Sequence, residues 1–248
     1  MILGVDVWEG QLETDETILK ASDVQIIVPR LNSISGGHHK DDLFDKQWTE
    51  AAGFFRGPYF VYNPWVYGTL NAEWLLKNVP SSGVTRVFAD IEVKKDGYSP
   101  DTYAAEVGKF IEQVQKYYPV TIYTGMWFLS TLSYWPKNVD YWWARYPWVL
   151  YPETKTFSTW ERMHTLIDSV GWNPDPKKLC PGTVMLWQCS ADRFYLPGTN
   201  NRAIDINVFK GTAEELSSWW GTKAPLTLYQ RVAILEREAR ARGWNLEP

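Results

Sequence analysis

Two acidic residues at the end of an apolar run carry the first chemistry that the sequence suggests. The stretch Arg86–Val93 reads Arg-Val-Phe-Ala-Asp-Ile-Glu-Val, so one residue separates Asp90 from Glu92. Residues two apart in a strand point to the same side, so both carboxyl groups should face one space, above Phe88. One of two such close acids tends to keep a proton near neutral pH. A protonated acid beside an ionised one can cleave a glycosidic bond, although two solvated acids at an exposed strand end would give the same pattern.

Two further acids occupy similar places in other apolar runs. Asp6 lies near the end of Ile2–Val7, and Asp205 lies within Ala203–Phe209. If the first and last strands are neighbours in a closed barrel, these two acids lie side by side. They would then join the first pair at the C-terminal rim, where such barrels keep their active sites. Because burying an isolated carboxylate is costly, four acids so placed favour an active site over a structural accident.

The elements that must position these acids alternate between strand and helix as far as Leu132. Five rounds of this alternation predict a parallel sheet, open or closed into a barrel. The predicted strands are Ile2–Val7, Val24–Pro29, Gly57–Tyr62, Arg86–Glu92 and Val120–Thr124, and the predicted helices begin near Thr14 and cover Asp41–Phe54, Leu70–Val79, Pro100–Tyr118 and Trp127–Leu132. Three further strands are predicted at Tyr141–Tyr146, Thr183–Cys189 and Ala203–Phe209. The segment Pro147–Pro181 between two of them is predicted to be irregular and could wall one side of a groove.

Composition excludes several classes of function. The chain has 248 residues, a net charge of −4 and no basic run, which argues against general binding to nucleic acid or an anionic membrane. No apolar stretch is long enough to insert into a membrane, and the first residues lack the features of a secretory signal. We therefore expect synthesis in the cytoplasm. Cys180 and Cys189 are predicted to be free thiols, and the few His and Cys show no metal-binding spacing.

The composition of the chain changes near residue 222. We expect a catalytic barrel over residues 1–221, followed by a linker and an amphipathic helical tail over 222–248. The helix, Leu226–Gly243, has fewer than two clear heptads, too few to identify a coiled coil. Docking on the barrel or fraying is favoured over self-association through 226–243 or contact with a wall polymer.

Six short motifs occur in an order that resembles a known family. They are Gly4-Val5-Asp6-Val7, Phe88-Ala89-Asp90-Ile91-Glu92, Ile122-Tyr123-Thr124, Trp142-Trp143-Ala144-Arg145-Tyr146, Leu186-Trp187-Gln188 and Ile204-Asp205-Ile206-Asn207. The series resembles glycoside hydrolase family 25, the muramidases or lysozymes of bacteria, phages and some fungi, over about residues 1–220.

The resemblance implies an α/β fold, a modified TIM-like barrel with five β/α units followed by three further strands. It implies cleavage of the β-1,4 bond between N-acetylmuramic acid and N-acetylglucosamine in bacterial peptidoglycan strands, without a metal or cofactor. The implied catalytic residues are Glu92, Asp90, Asp6 and Asp205, with Glu92 as general acid/base and Asp90 stabilising the acetamido/oxocarbenium centre. Residues implied to bind substrate are Tyr59, Tyr62, Tyr123 and Trp142.

One departure and several alternatives accompany the resemblance. The family's third strand commonly reads Gly-x-Tyr-His-Phe, whereas this chain has Gly57-Pro58-Tyr59-Phe60-Val61, which brings a substrate contact into question. Alternative functions are a chitinase-like N-acetylglucosaminidase and a non-catalytic wall-binding or structural module. The sequence leaves a retaining, substrate-assisted or inverting course open. The absence of a signal peptide favours a phage or prophage lysin acting on the bacterial wall.

Overall fold

A computed structural model describes residues 1–11, 23–147, 160–197 and 203–221. The strands are β1 (Ile2–Val7), β2 (Val24–Pro29), β3 (Asn32–Ser33), β4 (His39–Lys40), β5 (Phe55–Arg56), β6 (Tyr59–Val61), β7 (Val87–Asp90), β8 (Val120–Gly125), β9 (Asp140–Ala144), β10 (Thr183–Tyr195) and β11 (Ala203–Phe209). The α-helices are α1 (Phe44–Glu50), α2 (Gly68–Asn78), α3 (Pro100–Gln115), α4 (Trp160–Val170) and α5 (Ala213–Trp220), and short 3-10 helices cover Ala51–Gly53 and Met126–Thr131.

Nine strands form one curled sheet in the order β5-β2-β1-β11-β10-β9-β8-β7-β6. Neighbouring strands are parallel except around β11, which is antiparallel to both β1 and β10. The two edge strands, β5 and β6, are consecutive in the chain. A parallel bridge between Arg30 and Tyr59 and a 2.7 Å hydrogen bond from the Leu31 amide to the Tyr59 carbonyl join β2 to β6. The sheet therefore curls into a TIM-like barrel, as predicted.

The two faces of the sheet pack in different surroundings. Val87 and Ala89 on β7 and Ile91 directly after it pack with the residues of α2 and α3, whereas Phe88 faces the barrel interior. Inside the barrel, the Phe88 ring lies 5.6 Å from that of Trp142, edge to face. Large aromatic side chains fill the interior, so the barrel is a packed core rather than a pore.

Helix α3 begins as its sequence predicts. Pro100 occupies the first helical turn, and the Ser99 hydroxyl accepts a 3.1 Å hydrogen bond from the Thr102 amide. The buried face of the helix lies against the sheet, and the Tyr103 hydroxyl donates a 2.5 Å hydrogen bond to the Val93 carbonyl. This bond fixes the segment that follows β7 and carries Glu92.

The N-terminal end of the barrel is closed by a polar contact around Arg86. Its guanidinium donates to the Thr121 hydroxyl at 2.9 Å, to Asp140 at 3.3 Å and to the Trp219 carbonyl at 2.6 Å. The charge also lies 4.3 Å from the centre of the Trp219 ring. Helix α5 is thereby fastened across the end of the barrel that lies opposite the acids.

Two predicted elements differ from the structure in more than their end residues. The helix predicted over Asp41–Phe54 is shorter: α1 and a 3-10 helix are followed by the edge strand β5. The segment Pro147–Pro181, predicted to be irregular, contains α4, whose Met163, Leu166, Ile167 and Val170 pack on the β10–β11 side of the core. The prediction was wrong there because the many Trp and Pro residues around α4 obscured its spacing of i, i+3, i+4 and i+7.

Other expectations are confirmed or fall outside the described residues. Cys180 and Cys189 are free thiols, as predicted. The helix predicted near Thr14 and the tail over 222–248 lie outside the described residues, so the number of strand–helix units and the domain division stay predictions. Within the described ranges, no helix is long and apolar enough to cross a membrane.

Candidate active site

Asp90 and Glu92 lie on the interior side of the barrel at its C-terminal end. Asp90 is the last residue of β7 and stands in register with Tyr123 on β8. It is 8% exposed, and its Oδ1 atom has no hydrogen-bond partner among the described residues. Glu92 is half-buried and accepts a hydrogen bond from the Trp127 side chain. The period of two along this stretch thus brings both acids to the site, as the sequence indicated.

Asp6 and Asp205 are direct neighbours across the antiparallel pair β1–β11. The Oδ1 atom of Asp6 accepts hydrogen bonds from Asn207 Nδ2 at 2.7 Å and Gln188 Nε2 at 3.1 Å. Asp205 accepts a hydrogen bond from the Asp192 amide at 2.8 Å, and burial and then the charge of Asp6 raise the pKa of Asp205. The two carboxyl groups therefore titrate as an interacting pair.

Burial raises the pKa of every acid in this cluster. It raises the pKa of Asp6 to about 6, against the opposing effect of the Asn207 and Gln188 amides. The pKa of Asp90 is raised well above its ordinary value, first by burial and then by the charges of Glu92 and Asp6. Burial and then the charge of Asp6 raise the pKa of Glu92, and Asp205 behaves similarly. The cluster therefore keeps protons at a pH where separate carboxyl groups would lose them.

Arg30 places a positive charge beside this cluster. Its Nε atom donates to Asp41 at 2.8 Å, its Nη2 atom donates to Glu9 at 3.3 Å, and its guanidinium lies 4.9 Å from the Trp8 ring centre. The charge of Arg30 lowers the pKa of Asp90, against the stronger effect of burial. Sequence reasoning missed this residue, although a cation directly after the apolar strand β2 was a usable signal.

Gln188 connects the acids to two tyrosines. Its Oε1 atom accepts hydrogen bonds from the hydroxyls of Tyr123 at 2.8 Å and Tyr146 at 2.6 Å. Its Nε2 atom donates to Asp6 and, at 3.4 Å, to Asp205. These partners fix the orientation of the amide, because tyrosine hydroxyls donate on one side and carboxyl oxygens accept on the other. The residue belongs to a motif noted in the sequence, but nothing there indicated this role.

Of the four aromatic residues predicted to bind substrate, three lie around the acids. Tyr59 and Tyr123 are 8% and 7% exposed, and Trp142, at 1%, donates a 2.7 Å hydrogen bond to Asn207 Oδ1. Trp142 therefore supports the residue that holds Asp6. The fourth, Tyr62, is 1% exposed and packs against Phe110 and other residues of the helix layer. Its ring thus lies on the other face of the sheet from the acids, and only its amide approaches them, donating to the Asp90 carbonyl at 2.9 Å.

Aromatic rings at the rim of the site escaped the sequence analysis. Trp127 is 52% exposed, binds Glu92 and lies 6.1 Å from the ring of Tyr146. Trp8, which directly follows β1, is 38% exposed. Flat rings in such places can pack against the apolar faces of sugars.

The replaced histidine position lies away from the acids. Phe60 is fully buried on the helix side of β6, 5.4 Å from the ring of Phe110 and 5.1 Å from that of His38. Tyr59, its neighbour in the sequence, faces the interior instead. The departure from Gly-x-Tyr-His-Phe therefore changes the layer between sheet and helices and removes no side chain from the carboxyl cluster.

Comparison with protein families agrees with this geometry. The family described as "Glycosyl hydrolases family 25" matches residues 5–164, well over half of the chain. The chain belongs to glycosyl hydrolases family 25. It is accordingly a glycoside hydrolase, and the acids described above are set on the fold of that family.

The relatives and solved structures that resemble this chain have low sequence identity to it. The uncharacterized protein YegX of Escherichia coli K12 is 24% identical over 227 residues, which span 88% of this chain and 73% of YegX. The bacterial lysozyme of Streptomyces coelicolor superposes with a TM-score of 0.67 at 20% identity, covering 90% of this chain and 98% of that one. A family 25 glycosyl hydrolase from Bacillus anthracis gives a TM-score of 0.65 at 21% identity, with 88% and 93% covered. These likenesses confirm the predicted fold.

Proposed function

We propose that this glycoside hydrolase is an N-acetylmuramidase, which cleaves the β-1,4 bond between N-acetylmuramic acid and N-acetylglucosamine in bacterial peptidoglycan. The observation that carries the proposal is the cluster of four acids with raised pKa values at one end of a family 25 barrel. The Streptomyces coelicolor structure is named a bacterial lysozyme, and a structural neighbour from Acremonium alcalophilum is named a muramidase. Both names support peptidoglycan as the substrate.

Glu92 acts as the general acid and then as the general base. Its carboxyl group, with the pKa raised by burial, protonates the glycosidic oxygen as the bond to the sugar carbon C1 breaks. The resulting carboxylate accepts a hydrogen bond from the Trp127 side chain. It then takes a proton from the water that attacks C1, which restores the acid for the next cycle.

Asp90 orients the acetamido group of the sugar. The acetamido oxygen attacks C1, and Asp90 accepts a hydrogen bond from the acetamido N–H while the group carries positive charge. Asp90 is buried with one oxygen unpartnered among the described residues, and its pKa is raised. A donor arriving with the substrate lowers that pKa, so Asp90 ionises when the sugar is in place.

Asp6 and Asp205 keep the space around C1 negative, which stabilises the oxocarbenium-like transition state. Gln188 and Asn207 fix the position of Asp6, and Trp142 fixes Asn207 through its indole N–H. Tyr59 and Tyr123 border the same space. This part of the site is preorganised, because its hydrogen bonds exist before any substrate is bound.

The decisive experiment is mass spectrometry of purified peptidoglycan after digestion by the natural protein and by Glu92→Gln. We expect fragments with a reducing N-acetylmuramic acid end from the natural protein and almost none from the variant. Glu73→Gln is the matched control, because Glu73 is exposed on α2 and the same change there should leave activity intact.

The other outcomes separate the alternative functions. Reducing N-acetylglucosamine ends would assign the chemistry to a different bond and contradict the muramidase. Binding to the wall polymer without any fragments would identify a non-catalytic module. Full activity of Glu92→Gln would refute the role of that residue.

A further inference from the structure

A cavity opens beside the carboxyl cluster, on the side of β8 and β9. It has a volume of about 380 Å³, and its lining includes Met126, Trp127, Arg145, Tyr146, Lys177 and Leu179. We call it the side pocket. Trp127 and Tyr146 form the wall shared with the carboxyl cluster, because the first binds Glu92 and the second binds Gln188. The side pocket therefore adjoins the proposed sugar site.

Exposed apolar side chains form part of the lining of the side pocket. Met126, Trp127 and Leu179 are 54%, 52% and 42% exposed, and all three contribute to its lining. Contiguous apolar surface that is left open to water marks a binding site more often than chance would give. These side chains suit small apolar groups of a ligand.

The polar part of the side pocket favours an anion. Arg145 and Lys177 bring positive charge to the lining. Asp175, the one acid among the described residues of the lining, is already engaged, because its two oxygens accept hydrogen bonds from the amides of Leu179 at 2.9 Å and Cys180 at 2.6 Å. The Arg145 guanidinium also donates to the Asn173 carbonyl, which fixes the loop that bears Lys177.

We propose that the side pocket binds the peptide arm of a muramoyl residue, with Lys177 and Arg145 facing its free carboxylates. The proposal rests on the proposed function, since only a peptidoglycan strand carries such an arm beside the bond to be cleaved. The arm begins with small residues and bears free carboxylates, which matches an apolar lining with two cations. A volume near the lower end of the range for small-ligand sites, about 300 to 1,000 Å³, suits a short peptide.

The test compares two soluble substrates: glycan strands that keep their peptides, and strands stripped of them by an amidase. In Lys177→Glu we expect kcat/KM on peptide-bearing strands to fall about fivefold, the effect of an exposed ion pair replaced by a repulsion. On stripped strands it should change less than about twofold, within the range of a surface substitution. Lys178→Glu is the matched control, with the same charge change one residue away and outside the lining of the side pocket. It should behave as the natural protein on both substrates.

Each contrary result overturns the inference in a distinct way. If Lys177→Glu lowers kcat/KM equally on both substrates, Lys177 interacts with the glycan itself, including the lactyl carboxylate that the amidase leaves on it. If Lys177→Glu and Lys178→Glu lower kcat/KM equally, the effect comes from the change in net charge and not from the side pocket. If the natural protein cleaved neither substrate, the proposed function would fail first.

Discussion

Among the single residues, Asp6 links pH to stability, because its burial favours the protonated form of its carboxyl group. Its pKa rises from 3.8 to about 6, so between these values the folded chain binds more protons than the unfolded chain. Its contribution to stability therefore falls as pH rises through that window. Two units of pKa correspond to about 3 kcal/mol.

We predict that Asp6→Asn raises the free energy of unfolding at neutral pH by up to about 3 kcal/mol, while hydrolysis falls. Asparagine stays neutral and still offers an oxygen to Asn207 and Gln188. Urea unfolding at about pH 4 and about pH 7 measures the effect, which should be small at the lower pH. A variant less stable than the natural protein at neutral pH would contradict the argument.

Arg30 yields a prediction about the pH profile of hydrolysis. Its positive charge lowers the pKa of Asp90, so Arg30→Gln should raise that pKa further. If Asp90 must ionise for catalysis, the acidic limb of kcat/KM moves to higher pH in this variant. Arg30→Lys, which keeps the charge, is the control and should leave the limb in place. If the acidic limb of the kcat/KM profile is unchanged in both variants, Asp90 does not titrate in the reaction.

The four acids could be predicted from the sequence, whereas the residues that hold them could not. An acid in an apolar strand is conspicuous because it is costly to bury. Gln188 and Asn207 cannot be recognised in this way, because buried amides are ordinary when they are hydrogen-bonded. The position of the Tyr62 ring could not be predicted either, because a short strand signal does not reveal which face of the sheet its last residue joins.

At the level of the elements, β6 explains the departure at Phe60. The ring is buried between the sheet and the helix layer, with Trp74 and Phe110 as neighbours. We predict that Phe60→His costs about 1–3 kcal/mol of stability, because a polar ring replaces an apolar one there. Activity per folded molecule should not rise. Thermal unfolding measures the change in stability, and the rate of hydrolysis measures the activity. Faster hydrolysis by Phe60→His would show that this position reaches the substrate.

The alternation of strands and helices was predictable as far as Leu132 because its apolar periods are regular. Strand β10 runs beyond the predicted Cys189 to Tyr195, and its pairing with β11 shifts register near Ser190. Such irregular pairing depends on contacts between distant strands, which local propensity does not report.

In the molecule as a whole, one end of the barrel carries the acids and the other end is stabilised by the contacts of Arg86. Arg86 ties β7, β8, β9 and α5 together at the end without the acids. We predict that Arg86→Met lowers the free energy of unfolding by about 3 kcal/mol, since it leaves Asp140 and the Trp219 carbonyl without this donor. The value of kcat should be unchanged where the variant is folded. Lys116→Met, an exposed change of the same kind, is the control, and a large loss of kcat in Arg86→Met would show that the ends are coupled.

The placement of β11 beside β1 also has a consequence for timing. Asp6 lies on β1, but Asn207, which holds it at 2.7 Å, lies 201 residues farther along the chain. Its other amide partner, Gln188, is 182 residues away. Contacts of such long range form late and slowly. During synthesis the four acids therefore stay apart, and the proposed site can assemble only after β11 has been made.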